Sequence, residues 1–271
     1  MATTKIQAAP QTAKRSFSAG SVISAIGRWI VRNRIYLIAF AIPAVLTYLA
    51  YALFGLYPFG EESVLCLDLN GQYVYYFEAL RDAFWGDGSI FYNWSRNLSG
   101  EFMGIIGYYL ASPFTLIVML LPEKFMLSSL LIMQLCKLGA AGATFNYFLQ
   151  KRRGVQPYPS LLFSTMYAMM AYGVIQLIDP MWLDGLVFLP LIMLGIEYLV
   201  DDGRRLNFII PLALMCVANF YIGYMICFFV ILYFLFYLCF GSDKKRKGYD
   251  YFTAFVRIAY SSVIALACAA F

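Results

Sequence analysis

A polytopic all-α membrane bundle is the fold class this sequence predicts, and three observations predict it. Of 271 residues, 62% are hydrophobic and only 13% charged, about half the charge of an ordinary soluble domain. The apolar residues gather in runs of the length that crosses a bilayer, about 20 residues. Aromatics reach 18%, with 22 Tyr and 24 Phe, and these residues collect at membrane interfaces and in wet cavities between helices. So much apolar content excludes a disordered chain. His is absent, which excludes Ser-His-Asp and Cys-His nucleophiles and His-bound metals. The six Cys are scattered without a CxxC pair and read as small core residues, not a disulfide or zinc framework. The net charge of +5 matters through its placement along the chain and implies no nucleic-acid partner.

Residues 1–34 are rich in Ala, Thr, Ser and Lys and end in Arg28, Arg32 and Arg34, a basic tail ahead of a membrane anchor. The first span is expected over 35–56. Residues 57–124 form a large loop with eight acids and three bases, a net of −5. Further spans are expected over 125–149, 159–178, 183–200, 206–221, 222–240 and 251–271. The run 206–240 is too long for one crossing, since a straight helix of that length reaches about 50 Å. It should break near Asn219–Tyr224. Together 35–271 reads as the N-terminal part of a longer transmembrane domain, because the sequence stops at Phe271 inside an apolar run.

Basic residues set the expected topology. The N-terminal cluster, Lys151-Arg152-Arg153, Arg204-Arg205 and Lys244-Lys245-Arg246-Lys247 should all be cytoplasmic. That holds only if the apolar run 105–121 does not cross. It is short and interrupted by Pro113, so it reads as a re-entrant or interfacial helix, with its backbone satisfied by protein or water. The expected location is a bacterial cell membrane, multi-pass, with the N-terminus inside and loop 57–124 outside.

Four places carry candidate chemistry. The first is Asp68-Leu69-Asn70-Gly71-Gln72-Tyr73. As a helix over 67–84, Asp68, Gln72, Tyr75, Ala79 and Asp82 share one face and Tyr73, Phe77, Leu80 and Phe84 the other. Such a helix would lie on the outer leaflet, apolar face down. Asp68 is then either an N-cap or a functional carboxylate favoured by the helix dipole. The second is Lys137, central in its span and sharing a face with Gln134, Ala141 and Thr144. A lysine there must face protein or a wet cavity, as a structural donor or as a functional cation. Gly139 and Ala143 would let another helix approach closely. The third is the turn Asp179–Asp184, where Asp184 is a cap or a ligand beside Trp182. The fourth is Asn219–Tyr224, a broken helix that could open into a cavity. Asp68, Asp184, Asn219 and the Ser112-Pro113 turn converge on the outer side in this topology. Acids there could deprotonate a hydroxyl, and Arg81, Arg96 and Lys124 could stabilise a phosphate.

The strings Asp68-Leu69-Asn70-Gly71-Gln72-Tyr73, Leu80-Arg81-Asp82, Phe91-Tyr92-Asn93-Trp94, Tyr108-Tyr109-Leu110-Ala111-Ser112-Pro113-Phe114, Lys137-Leu138-Gly139, Trp182-Leu183-Asp184-Gly185, Leu189-Pro190-Leu191, Gly195-Ile196-Glu197 and Asn219-Phe220-Tyr221-Ile222-Gly223-Tyr224-Met225 occur in this order. From about residue 36 onward the chain thereby resembles the bacterial YfhO membrane-protein family. The resemblance implies a GT-C-type glycosyltransferase that takes a sugar from a polyprenyl-phosphate carrier at the outer leaflet. Its acceptor would be a cell-envelope polymer such as teichoic acid, or a glycolipid. It implies that Asp68 is the catalytic base and that the Ser112-Pro113 turn opens a juxtamembrane helix. Gln72, Tyr73, Arg81, Arg96, Lys137, Asp184, Asn219 and Tyr221 are the expected substrate-binding set. No metal ligand is assigned, although Asp or Glu could hold Mg²⁺ or Mn²⁺. A lipid or sugar transporter, suggested by Lys137 and the broken helix at Asn219, and a non-catalytic membrane scaffold are the competing readings. The resemblance also implies a longer parent with an outer C-terminal domain.

Overall fold

The computed structural model describes residues 19–95, 99–242 and 244–270, with side chains from residue 24 onward. Contacts divide the chain into two units, Met1–Arg34 and Ile35–Phe271. The first helix, α1 (Ala19–Leu53), runs through the end of one unit into the other. It therefore starts well before the expected position 35. Arg28, Arg32 and Arg34 are good helix formers, and nothing between Ala19 and Ile35 breaks the helix. The part of the expected tail before Ala19 lies outside the described residues.

Within the second unit the chain forms a helical bundle built on α5 (Met126–Arg152), α8 (Leu183–Asp202), α10 (Phe220–Phe236) and α11 (Gly248–Cys268). Among the described residues five helices are long and apolar enough to cross a membrane, in the segments Ser24–Leu53, Glu123–Arg152, Pro180–Asp202, Phe220–Gly241 and Gly248–Cys268. The chain is a multi-pass membrane protein. The remaining two runs are shorter than expected. α9 (Leu206–Ala218) has 13 residues, and Asn219 breaks the run where the length argument required it. Asn219 adopts an extended backbone, and its side chain accepts the Ile222 N–H and caps α10.

The expected span 159–178 is a correction. It divides into α6 (Pro157–Ala168) and α7 (Ala171–Ile175), with Met170 extended between them. Gly173 closes over this bend so tightly that a Cβ would sit 2.2 Å from the Ala168 carbonyl oxygen. Alternation along the chain is preserved nonetheless. Asp179 and Asn219 return to the end of the bundle that holds Asp68, whereas Arg152, Asp201 and Ser242 meet at the other end.

Residues 57–124 lie against the Asp68 end as short pieces. A π turn (Leu69–Tyr73) leads into α2 (Val74–Trp85). A two-residue hairpin, β1 (Tyr92–Asn93) with β2 (Gly100–Glu101), follows. Then come α3 (Met103–Ile105), a second π turn (Ile106–Leu110), the Ser112-Pro113 turn and α4 (Thr115–Leu120). The segment 105–121 is thus a series of short turns and helices, none longer than the six residues of α4. The amphipathic face of 67–84 is real: Tyr73, Phe77 and Leu80 are buried and Asp68, Tyr75 and Asp82 exposed. Its burial differs from the expectation. The apolar face packs on Phe102, Ile105, Val118, Leu130 and Met133, inside protein and not on lipid, and Phe84 stays exposed.

Two contacts carry predictions. α1 and α5 touch where Gly139 and Gly142 present no side chain. A Cβ on Gly142 would meet the Ala39 carbonyl oxygen at 2.5 Å, and one on Gly139 the Phe40 oxygen at 2.8 Å. Both obstacles are backbone, so Gly142→Val should lose about 1–3 kcal/mol by overpacking, read as a lowered melting temperature in detergent. Gly107→Ala, with open space around its Cβ position, should melt within a few degrees of the parent. The second contact is Arg81. Its guanidinium donates through Nη1 to the carbonyls of Val118 at 2.7 Å, Met119 at 3.3 Å and Leu121, capping the C-terminus of α4. Arg81→Ala should cost about 1.5–3 kcal/mol, as lost charged hydrogen bonds do. Proteolysis within 115–122 that is no faster in the variant would refute the cap.

Candidate functional site

Three turns bring polar groups to one end of the bundle. Leu67 sits in left-handed backbone, φ +46°, and is exposed. A leucine there is strained, and the strain turns the chain so that Asp68 opens the first π turn. Asp68 makes no side-chain capping bond and is exposed. One turn on, Gln72 Oε1 accepts the Tyr109 hydroxyl at 3.0 Å, tying the first π turn to the second. The rings of Tyr73, Tyr76 and Tyr108 all meet Tyr109, at 5.3, 5.0 and 4.7 Å between centroids. Tyr108 reaches the broken helix. Its carbonyl accepts Asn219 Nδ2 at 2.8 Å, and its ring lies 6.3 Å from that of Tyr221. Tyr221 in turn meets Trp182 at 5.8 Å.

The third turn is the 3₁₀ turn Pro180–Trp182, which begins at Asp179. Beneath it lies a buried ion pair. Lys137 Nζ is 2.6 Å from Asp184 Oδ2, and the two side chains are 1% and 0% exposed. Lys137 also donates to the Pro180 carbonyl at 2.8 Å, and Ser112 Oγ donates to Asp184 Oδ1 at 2.8 Å. The Phe114 ring covers the ammonium at 5.6 Å. Each charge is paired and hydrogen-bonded, which is the condition for holding charge in an apolar interior. The ammonium fastens α5, α8 and the 3₁₀ turn at one point, and Ser112 adds the proline turn of the loop.

Asp179 is the residue that sequence reasoning left without a role. It is half-buried. Burial, and then the like charge of Asp68, raise its carboxyl above the ordinary carboxylate range, against an opposing pull from the Tyr73 hydroxyl. The Tyr73 hydroxyl is buried and turned toward Asp179. Burial first, and then Asp179, push that phenol upward. Two carboxylates and a buried phenol therefore act on one another beside an aromatic wall. The signal for Asp179 in the sequence was the Asp-Pro step before Trp182, which also reads as an ordinary turn.

The expected set separates into three groups. Asp68, Gln72, Tyr73, Asn219 and Tyr221 come together, with Tyr221 40% exposed. Lys137 and Asp184 join them from below, but as a sealed pair. Direct substrate contact, expected of both, does not fit groups without solvent access. Arg81 faces α4 carbonyls, and Arg96 lies outside the described residues. Among the described residues no group of three or more Cys, Asp or Glu is placed to share a metal ion. At the opposite end Arg152 and Arg153 bind Glu197 and Asp201, with Tyr233, Tyr237 and Arg246 completing the network. Sequence reasoning used those arginines only as topological markers. The acids in the last turns of an otherwise apolar helix were the available sign of a partner.

Comparison with known proteins adds to this geometry. A family model for the bacterial membrane protein YfhO matches residues 39–271. A Bacillus subtilis (strain 168) protein named "Uncharacterized protein YfhO" is 27% identical over 168 residues, covering 55% of this chain and 19% of that protein. The match thus spans about a fifth of the curated relative's length. No solved structure matches.

Proposed function

Because this chain belongs to the YfhO family of bacterial membrane proteins, we propose that it forms part of a membrane glycosyltransferase with its site at the Asp68 end. In this reading that end faces outward and the N-terminus is cytoplasmic. A sugar is moved from a polyprenyl-phosphate carrier to a hydroxyl of an envelope acceptor such as teichoic acid. The acceptor oxygen attacks the anomeric carbon, the bond from that carbon to the phosphate oxygen breaks with inversion, and the acceptor proton passes to Asp68. The observation that carries the reading is Asp68 itself. It caps nothing, it follows a strained residue, and it stands beside a second carboxylate. Strain and paired acids without a structural duty are features of functional sites.

Asp179 holds its proton more readily than an ordinary carboxyl, which suits a donor to a sugar hydroxyl. Lys137 and Asp184 act as positioning residues, since Lys137 fixes the Pro180 carbonyl one residue from Asp179. A translocation pathway draws no support from Lys137, whose charge is neutralised where it sits. The test uses membranes from cells expressing the protein, supplied with labelled polyprenyl-phosphate sugar. Label should reach envelope polymer with the parent and disappear with Asp68→Asn at matched protein levels. Equal transfer from both would remove Asp68 from the reaction, and no transfer from either would refute the transferase reading.

A further inference from the structure

A groove of about 400 Å³ runs between α2 and the β1–β2 hairpin. Tyr76, whose ring meets Tyr109, is part of its lining. Tyr75, Asp82, Asp87, Tyr92, Asn93 and Trp94 are among the residues that line it. Trp94 is 81% exposed and Tyr75 60%, so broad aromatic faces stand open to a ligand. Their setting is ordered. Trp94 meets Tyr92 edge to face at 4.8 Å, and the Tyr92 hydroxyl is 2.7 Å from Ser99 Oγ. Asn93 Oδ1 accepts the Ser95 N–H at 2.7 Å, which orients the amide and leaves its NH₂ to donate. The Asp82 carbonyl accepts both Gly86 and Gly88 N–H at 3.0 Å. A Cβ on Gly88 would sit 2.8 Å from the Ala83 nitrogen, so this tight turn sets Asp87 and Ser89 on the rim.

The lining narrows the ligand class. Among the described residues it contains three carboxylates, Glu78, Asp82 and Asp87, and no Lys or Arg, so the described lining offers a phosphate no cationic partner. The acids at the rim are solvent-exposed, where attraction for a cation is screened and weak. What remains favourable is a neutral ligand with an apolar face for the rings and several hydroxyls for the carboxylates and amide. Aromatic faces are electron-rich and attract C–H groups. Carboxylates accept from hydroxyls, and the amide donates to them. We propose that this groove binds an uncharged pyranose unit of a glycan, stacked on Trp94 and hydrogen-bonded by Asp82, Asp87 and Asn93. The assignment rests on the groove alone and stands whether or not the chain transfers sugar.

The test is calorimetric titration of the protein in lipid nanodiscs, which avoids sugar-headed detergents. The probes are maltotriose, cellotriose and the N-acetylglucosamine trimer, with a glycerol-phosphate trimer and choline as charged comparators. At least one neutral trimer should bind saturably. Trp94→Ala should weaken that binding at least tenfold and Asp82→Asn severalfold. Both groove positions are exposed, so circular dichroism melts of these variants should match the parent. Absence of saturable binding to all three sugars would overturn the assignment. So would binding that survives both groove substitutions, or tighter binding of either charged comparator. Loss of transfer with Asp68→Asn alongside absent sugar binding would sink this groove and spare the transferase reading.

Discussion

Lys137→Ala should lose about 3–5 kcal/mol of stability, the cost of leaving one member of a buried pair without its partner. The remaining carboxylate is Asp184, fully buried and left with a single Ser112 hydroxyl. The variant also frees the Pro180 carbonyl that Lys137 holds at 2.8 Å. Replacing both charges, Lys137→Met with Asp184→Leu, should recover most of the loss, because apolar groups of similar volume need no compensation. Ser112→Ala should cost less, about 1–2 kcal/mol for one buried hydrogen bond. Lys137→Arg should not restore the parent, since a planar fork does not fit a site built around a point charge. Thermal unfolding in detergent, followed by circular dichroism, ranks the four. A single Ala variant within 1 kcal/mol of the parent, or a double variant no better than the single, would refute this account. The double variant also separates folding from positioning: stability should return while transfer stays low, because the turn below Asp179 has lost its anchor.

That pair shows where a sequence stops informing. Lys137 and Asp184 were each visible as charges, Lys137 at the centre of one apolar run and Asp184 at the outer start of another. Their contact was not visible, because helical periodicity is local and the residues lie 47 positions apart. The break at Asn219 was legible because length alone forbids one helix over 206–240. The division of 105–121 into short pieces had its sign in Pro113. For α2 the pattern told which face is apolar but not what meets it, since lipid and protein select the same residues. The even rotation of 100° per residue also fails across a π turn, and this chain has one at Leu69–Tyr73. The division of α6 from α7 left little trace, as Met169 and Met170 are ordinary helix formers and the bend is made by close packing at Gly173.

Asp68→Asn should lower transfer by about 10²–10⁴-fold, the range general base catalysis supplies, with the protein still folded because the exposed side chain caps nothing. Asp179→Asn should cost less if its part is to hold a sugar hydroxyl, since an amide can still donate. The two should not be additive, because the carboxylates feel each other. The same coupling has a reading that needs no substrate. A carboxyl whose folded pKa is raised contributes stability that is fully present below its unfolded pKa and is lost as pH rises through the folded one. For Asp179 that window opens in the ordinary carboxylate range and closes above its own raised value. Asp68→Asn removes the like charge, lowers the Asp179 pKa and should flatten this part of the stability curve. Asp179→Asn should abolish its contribution altogether. Melting temperatures across that window decide the matter: an unchanged slope in Asp68→Asn would mean that the two acids do not interact. A flattened slope with intact transfer would keep the pair and deny it the chemistry.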